Sequence, residues 1–126
     1  GRWQTLSENP LTIADSGHNE HGLRYVVEAL KQLNKKQIHF VFGAVNDKDL
    51  EKVFKLLPKD AIYYFCKADI PRGLDAKILQ ESAQQYGLNG AFYSSVKEAF
   101  EMAQKQAGVD DCVFIGGSIF IVAEII

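Results

Sequence analysis

The sequence has little of what marks several large classes of protein. It contains only two cysteines, Cys66 and Cys112, and each lies inside an apolar run. This placement predicts two buried thiols rather than a disulfide or a metal pair, and it favours a reducing, cytoplasmic compartment. No apolar run approaches the ~18 residues that a membrane-spanning helix needs, so neither a membrane span nor a signal peptide is expected.

A strong excess of charge is also missing. The formal net charge is −2, and the lysines and arginines form no block. The chain therefore has no electrostatic footprint for nucleic acid or an acidic membrane surface, and neither is expected as a partner. Apolar residues make up 47% and charged residues 24% of the 126 residues, which is typical of one globular domain. Because the chain starts at Gly1 and stops inside an apolar run, we expect residues 1–126 to be one domain of a longer multidomain protein.

Two common phosphate-binding loops are absent as well. The sequence contains neither the G-x-G-x-x-G fingerprint of dinucleotide-binding domains nor the G-K-[ST] of a Walker A loop. We therefore do not expect this chain by itself to hold a nucleoside triphosphate by those means.

What the sequence does have is a regular alternation of strand-like and helix-like segments. Short apolar runs are followed by apolar residues at helical spacing, and this happens five times. A weaker pattern over residues 3–7 predicts an additional edge strand. Short connections between such elements require right-handed β-α-β crossovers. The sequence therefore predicts a three-layer α/β/α Rossmann-like domain with a mainly parallel sheet of about five or six strands.

The most informative stretch is LTIADSGHNEHG, residues 11–22. Its apolar run ends at Asp15, and a turn that contains His18 and Asn19 then opens a helix. In open α/β sheets, ligands bind where strands end at their carboxyl side, because loops separate there and helix N-termini offer free N–H groups. These three polar side chains are therefore predicted to face a crevice.

Each of these candidates also has an ordinary structural interpretation. Asp15 could accept hydrogen bonds from a ribose, or it could cap the turn that follows it. His18 could donate a hydrogen bond to a phosphate or an acyl phosphate, or it could bond to backbone at the helix start. Asn19 is expected to cap the helix first and to contact a ligand second. His21 has no third ligand at matching spacing, so no metal site is predicted.

Three segments, in chain order, resemble one enzyme family. DSGHN at residues 15–19, followed by Gly22, is similar to a D-[GS]-A-H-N-P-x-G element. VFGAVNDKD at residues 41–49 and GGSIFIVAE at residues 116–124 are similar to two later segments of the same family. On these motifs the chain resembles the C-terminal domain of folylpolyglutamate synthase and dihydrofolate synthase, members of the Mur ligase superfamily.

The resemblance implies a reaction. Enzymes of this family use ATP and a divalent metal, Mg²⁺, to phosphorylate a folate or dihydropteroate carboxylate, and glutamate then displaces the phosphate to form an amide. In the family the P-loop and the metal-binding residues belong to a separate N-terminal ATPase domain. The resemblance therefore implies that ATP and Mg²⁺ are bound mainly by that domain, which would be the partner of this one. The isolated domain is expected to be inactive.

The resemblance also implies roles for single residues. It implies nucleotide contacts for Asp15 and Arg2, although an arginine beside a chain end is commonly solvated. Ser118 could cap the last helix or orient glutamate through its hydroxyl, and the two roles are compatible. Lys48 could steer a carboxylate or phosphate, or it could be one charge of a solvated helix start. Arg72, in the longest loop, is a further candidate for an anionic substrate.

The opening turn departs from the family pattern at two positions. Gly17 stands where the family usually has alanine, and Glu20 where it usually has proline. The charge of Glu20 supports the helix dipole but opposes a nearby phosphate. Three alternatives stay open: a Rossmann-like module that binds a small anion or a protein without chemistry, a receiver-type regulator, and the equivalent domain of another Mur-type ligase.

Overall fold

The computed structural model describes residues 3–46 and 50–126, and a six-stranded sheet forms the centre of this part of the chain. The strand order is β1-β2-β6-β3-β4-β5. The first pair, β1 and β2, is antiparallel with a register shift between Thr5 and Ser7, and every other pair is parallel. The strands are β1 (Gln4–Glu8), β2 (Leu11–Asp15), β3 (Ile38–Phe42), β4 (Ile62–Phe65), β5 (Gly90–Phe92) and β6 (Cys112–Gly116).

Helices cover both faces of this sheet, so the predicted three-layer architecture is confirmed. One buried cluster joins the sheet to α1, α2 and α3, and a second joins the opposite face to α4 and α5. Asn19 caps α1, as the sequence predicts, and Ser95 caps α4. The helices are α1 (Glu20–Leu33), α2 (Leu50–Leu56), α3 (Ala76–Gln84), α4 (Val96–Gln106) and α5 (Ile119–Ala123).

Both cysteines lie in the core, as predicted. Cys66 and Cys112 are free thiols with no solvent-exposed surface. Burial raises the pKa of Cys66 to about 12 and that of Cys112 to about 11, so both stay protonated and unreactive. Among the described residues no helix is long and apolar enough to cross a bilayer.

A buried polar network closes the end of the sheet where the parallel strands begin. His39 is 3% exposed. Its Nδ1 atom lies 2.8 Å from the Tyr64 hydroxyl oxygen, and its Nε2 atom lies 2.9 Å from Asp111 Oδ2. The same tyrosine hydroxyl donates to Gln106 Oε1 at 2.7 Å. Burial raises the pKa of Tyr64 to about 12, so the hydroxyl stays a donor. The network ties the end of α4 and the start of β6 to the neighbouring strands β3 and β4.

We expect Asp111→Asn to reduce stability in a pH-dependent way. The backbone N–H of Gly108 and the His39 ring both bond the carboxylate and hold its pKa below the ordinary value of 3.8. A depressed pKa stabilises the fold above the unfolded-state pKa, and this stabilisation is lost as pH falls through the folded-state pKa. The variant should therefore be about 1 to 2 kcal/mol less stable at pH 7, and the difference should shrink below pH 4.

Urea unfolding from pH 3 to pH 7 measures this difference. Asp110→Asn is the matched control, because the Asp110 side chain is exposed and its backbone carbonyl makes the contact to Lys36. A pH-independent deficit in Asp111→Asn would contradict the prediction.

Candidate functional site

Four connecting segments meet at the edge of the sheet where the parallel strands end. Asp15 pairs in register with Gly116, which pairs in turn with Phe42, and Phe42 pairs with Phe65. The residues that follow these four positions therefore lie side by side along one edge. They are the turn 16–19, the pair Gly117–Ser118, the loop that starts at Gly43 and the loop that starts at Cys66.

The turn after β2 borders an open cavity of about 300 Å³. His18 is exposed there, and it also lines a small cleft with Phe42 and Gly117. The imidazole therefore stands between the turn and the ends of β3 and β6. The cavity is lined by residues 15–19 and by His21, Gly22 and Tyr25.

Asp15 holds this turn through two backbone contacts. It is 5% exposed, and its Oδ1 accepts from the Gly17 N–H at 2.7 Å while Oδ2 accepts from the Trp3 N–H at 2.8 Å. The turn-capping interpretation therefore describes a contact that is made. An ionised carboxylate has about four lone-pair directions. A ribose contact would use those that remain, and this role stays a prediction.

Asn19 and Glu20 define how the turn enters α1. The Asn19 side-chain oxygen accepts from the Gly22 N–H at 2.8 Å, which is the predicted cap. A methyl group on Gly22 would lie 3.2 Å from the Cα atom of Gly17, so the two glycines allow a close backbone approach. Glu20 stands where the family pattern usually has proline, and its carboxylate lies 2.8 Å from the Arg24 guanidinium group. This ion pair offsets the negative charge that Glu20 adds to the turn.

Ser118 follows the end of β6 by two residues, at the edge of the sheet where Asp15 ends β2. It is 3% exposed and begins α5, where its Oγ accepts from the Phe120 N–H at 3.0 Å. A serine hydroxyl has one hydrogen to donate besides the lone pairs with which it accepts, so a contact to a carboxylate is chemically compatible with this cap. Gly117, directly before it, has φ +104°, a conformation that L side chains rarely adopt.

Arg72 belongs to a loop that is bonded to the loop after β3. The Arg72 carbonyl accepts from the Asn46 N–H at 3.0 Å, and the Ala44 carbonyl accepts from the Leu74 N–H at 2.9 Å. Arg72 itself is exposed. The structure thus brings the Arg72 loop against the segment that leads to Lys48. Lys48 and Arg2 lie outside the described residues.

The described residues contain no group of three His, Cys, Asp or Glu side chains that could hold a metal ion. The most central carboxylate, Asp15, already accepts two backbone hydrogen bonds. The described part of this chain therefore does not fit a Mg²⁺ site of its own.

Comparisons with known proteins agree with this layout. The family model described as "Mur ligase, glutamate ligase domain" matches residues 1–119. A probable bifunctional folylpolyglutamate synthase/dihydropteroate synthase of Haloferax volcanii is 35% identical over 98% of the chain. The dihydrofolate synthase/folylpolyglutamate synthase of Escherichia coli is 32% identical over 99% of it. A UDP-N-acetylmuramoyl-L-alanyl-D-glutamate–2,6-diaminopimelate ligase of Oceanobacillus iheyensis is 30% identical over 93%.

Solved structures give the same relationship. The chain superposes on bifunctional folylpolyglutamate synthase/dihydrofolate synthase from Yersinia pestis with a TM-score of 0.87 and 33% identity, over 99% of this chain. The Yersinia enzyme has also been solved with AMPPNP and Mn ion, and an Escherichia coli relative with DHPP and ADP. A further bifunctional folylpolyglutamate synthase/dihydrofolate synthase structure holds Mn, AMPPNP and L-glutamate. The chain spans 15% of the length of the Haloferax relative, 29% of the Escherichia coli relative and 30% of the Yersinia chain.

Proposed function

Because the chain belongs to the Mur ligase family, whose glutamate ligase domain it matches, we propose that it is the C-terminal domain of a folylpolyglutamate or dihydrofolate synthase. The observation that carries this proposal is the resemblance to such enzymes over 98 to 99% of the chain. The meeting of the three motifs at one edge of the sheet supports it, because a two-substrate ligation needs several loops around one crevice.

In the proposed reaction ATP with Mg²⁺ supplies the phosphoryl group that activates a folate or dihydropteroate carboxylate as an acyl phosphate. The glutamate amine attacks the activated carbonyl carbon and loses a proton, the amide bond forms, and the C–O bond breaks so that inorganic phosphate leaves with the bonding electrons. What a protein contributes to such a step is mainly positioning, together with positive charge and hydrogen-bond donors that face the phosphates.

The turn after β2 would serve the nucleotide side. Asp15 keeps the turn in place through its two backbone contacts and would contact the ribose with its remaining lone pairs, and the exposed His18 would face the phosphates. Asn19 caps α1 with its side-chain oxygen, and its side-chain NH₂ group would contact the nucleotide. We assign His18 to donate a hydrogen bond to the acyl phosphate, which helps the phosphate to leave. Arg2 would reach the nucleotide phosphates from the segment that precedes β1.

The loops after β6, β3 and β4 would serve the glutamate side. The Ser118 hydroxyl can donate to a glutamate carboxylate, and Lys48 and Arg72 would add positive charge for an amino acid with two carboxylates. The two glutamate-side loops are joined by the backbone bonds between Ala44 and Leu74 and between Asn46 and Arg72, so they would move as one unit.

An N-terminal ATPase domain of the same protein would complete the site. It would carry the Walker A loop that this sequence lacks and the metal-binding residues that the described part of the chain does not provide. Closure of the two domains would exclude water that hydrolyses an acyl phosphate. The two buried free thiols favour a reducing, cytoplasmic site of action.

The experiment is a steady-state assay of ADP formation by the full-length protein. We expect it to require both glutamate and either folate or dihydropteroate, and we expect the 126-residue chain alone to form no ADP. Replacing both organic substrates by UDP-N-acetylmuramoyl-L-alanyl-D-glutamate and 2,6-diaminopimelate tests the second candidate, a ligase like the Oceanobacillus relative. Turnover by the isolated chain, or full-length turnover that ignores glutamate, would overturn the proposal.

A further inference from the structure

Glu124 is the last residue of the third sequence motif, and it has no role in the proposed function. Its carboxylate Oε2 accepts a hydrogen bond from the backbone N–H of Asp69 at 2.6 Å, across 55 residues of sequence. Asp69 lies in the loop that follows β4 and carries Arg72. The motif that contains Ser118 is therefore bonded, through its last residue, to the loop that carries Arg72.

Helix α5, which separates Ser118 from Glu124, is held in place along its length. Ser118 caps the start of α5 and Glu124 is its C-cap residue. Ile121, 1% exposed, packs so closely on Gly43 that a methyl group there would overlap its Cδ1 atom. The Glu124 charge also contributes, after burial, to the raised pKa of Cys66 at the end of β4. Both ends of α5 are thus fixed against the carboxyl ends of β3 and β4.

The loop itself has a second attachment at its far end. The Ala44 and Asn46 backbone bonds hold residues 72–74, while the Glu124 carboxylate holds Asp69 at the near end. Within the loop the Gly73 N–H donates to the Ile70 carbonyl at 3.1 Å, which makes the backbone turn back on itself. The two attachments together hold the stretch from Asp69 to Leu74, which includes Arg72.

We propose that Glu124 is a positioning residue for glutamate binding: it fixes the 67–74 loop so that Arg72 and Ser118 face the same glutamate. The inference rests on the proposed function for the identity of the ligand. Glu124 touches no substrate in this arrangement, and it acts through the loop backbone. A charged acceptor suits the task because hydrogen bonds to an ionised carboxylate are shorter and stronger than neutral ones.

Two measurements on the full-length protein test this. In steady-state kinetics, Glu124→Ala should raise KM for glutamate roughly tenfold and leave KM for ATP unchanged, because a displaced loop costs affinity only on its own side of the site. Glu124→Gln keeps an acceptor oxygen and should recover most of that loss. In hydrogen exchange, the amides of residues 67–74 should exchange faster in Glu124→Ala, with α4 unaffected.

Glu101→Ala is the control, because this exposed glutamate of α4 has no part in the proposed machinery. An unchanged KM for glutamate, an equal rise in KM for ATP, or unchanged loop exchange would overturn the role of Glu124. Absence of glutamate-dependent turnover in the wild-type protein would instead refute the proposed function. In that case the exchange data would still decide whether Glu124 fixes the loop.

Discussion

Gly117→Ala should lower the free energy of unfolding by about 3 to 5 kcal/mol, the sum of backbone strain and overpacking. The residue has φ +104°, and a methyl group there would overlap the Gly43 carbonyl oxygen and lie 2.6 Å from the Phe42 ring. Neither neighbour can yield easily, because one is backbone and the other a fully buried ring. In the full-length protein the same change should raise KM for glutamate, since it displaces Ser118.

Gly108→Ala is the matched control for this prediction. A methyl group at Gly108 would meet only the Asp111 carboxyl group, at 3.6 Å, which is an ordinary contact. Urea unfolding of both variants measures the difference. An equal loss of unfolding free energy in Gly117→Ala and Gly108→Ala would contradict the close packing between the ends of β6 and β3.

Asp15→Ala should lower the free energy of unfolding by about 2 to 4 kcal/mol, the second largest loss that we expect. It removes the acceptor of two backbone N–H groups, those of Trp3 and Gly17, at a site that is almost fully buried. Leaving a buried donor without a partner costs about 1 to 3 kcal/mol. Asp15→Asn keeps one acceptor oxygen and should lose about half as much.

Asp75→Ala provides the scale for Asp15. Asp75 is an exposed cap that accepts one bond, from the Ile78 N–H at 3.1 Å, and a cap of this kind is worth about 1 kcal/mol. Thermal or urea unfolding gives both values, and KM for ATP in the full-length protein reports on the turn. Equal losses at the two positions would mean that Asp15 does not hold the turn.

The strands and helices could be predicted because their residues follow local rules of apolar spacing and capping. Buried strands such as β3 and β6 are short runs of β-branched and aromatic residues, and α1 and α4 show helical spacing after a capping residue. The weakly patterned edge strand is also confirmed, as β1. The apolar end of the chain, residues 119–126, is helical only to Ala123, because apolar character alone does not specify how long a helix continues.

The contacts that shape the site were less predictable. The sequence placed Asp15, His18 and Ser118 at strand ends, and the structure confirms that they lie at one edge of the sheet. The bonds from Asp15 to Trp3, from His39 to Asp111 and from Glu124 to Asp69 join residues 12, 72 and 55 positions apart. Such pairs depend on tertiary packing, which periodicity and capping rules do not contain. The ligand roles of these residues stay proposals.

The borders of the sheet bear on the protein's tendency to self-associate. A border strand with free backbone groups can recruit a strand from another molecule, and irregular or very short border strands discourage this. Here one border is β1, whose register shifts between Thr5 and Ser7, and the other is β5, which is three residues long. Neither gives an incoming strand a long straight template, so both borders disfavour pairing with a strand of another molecule.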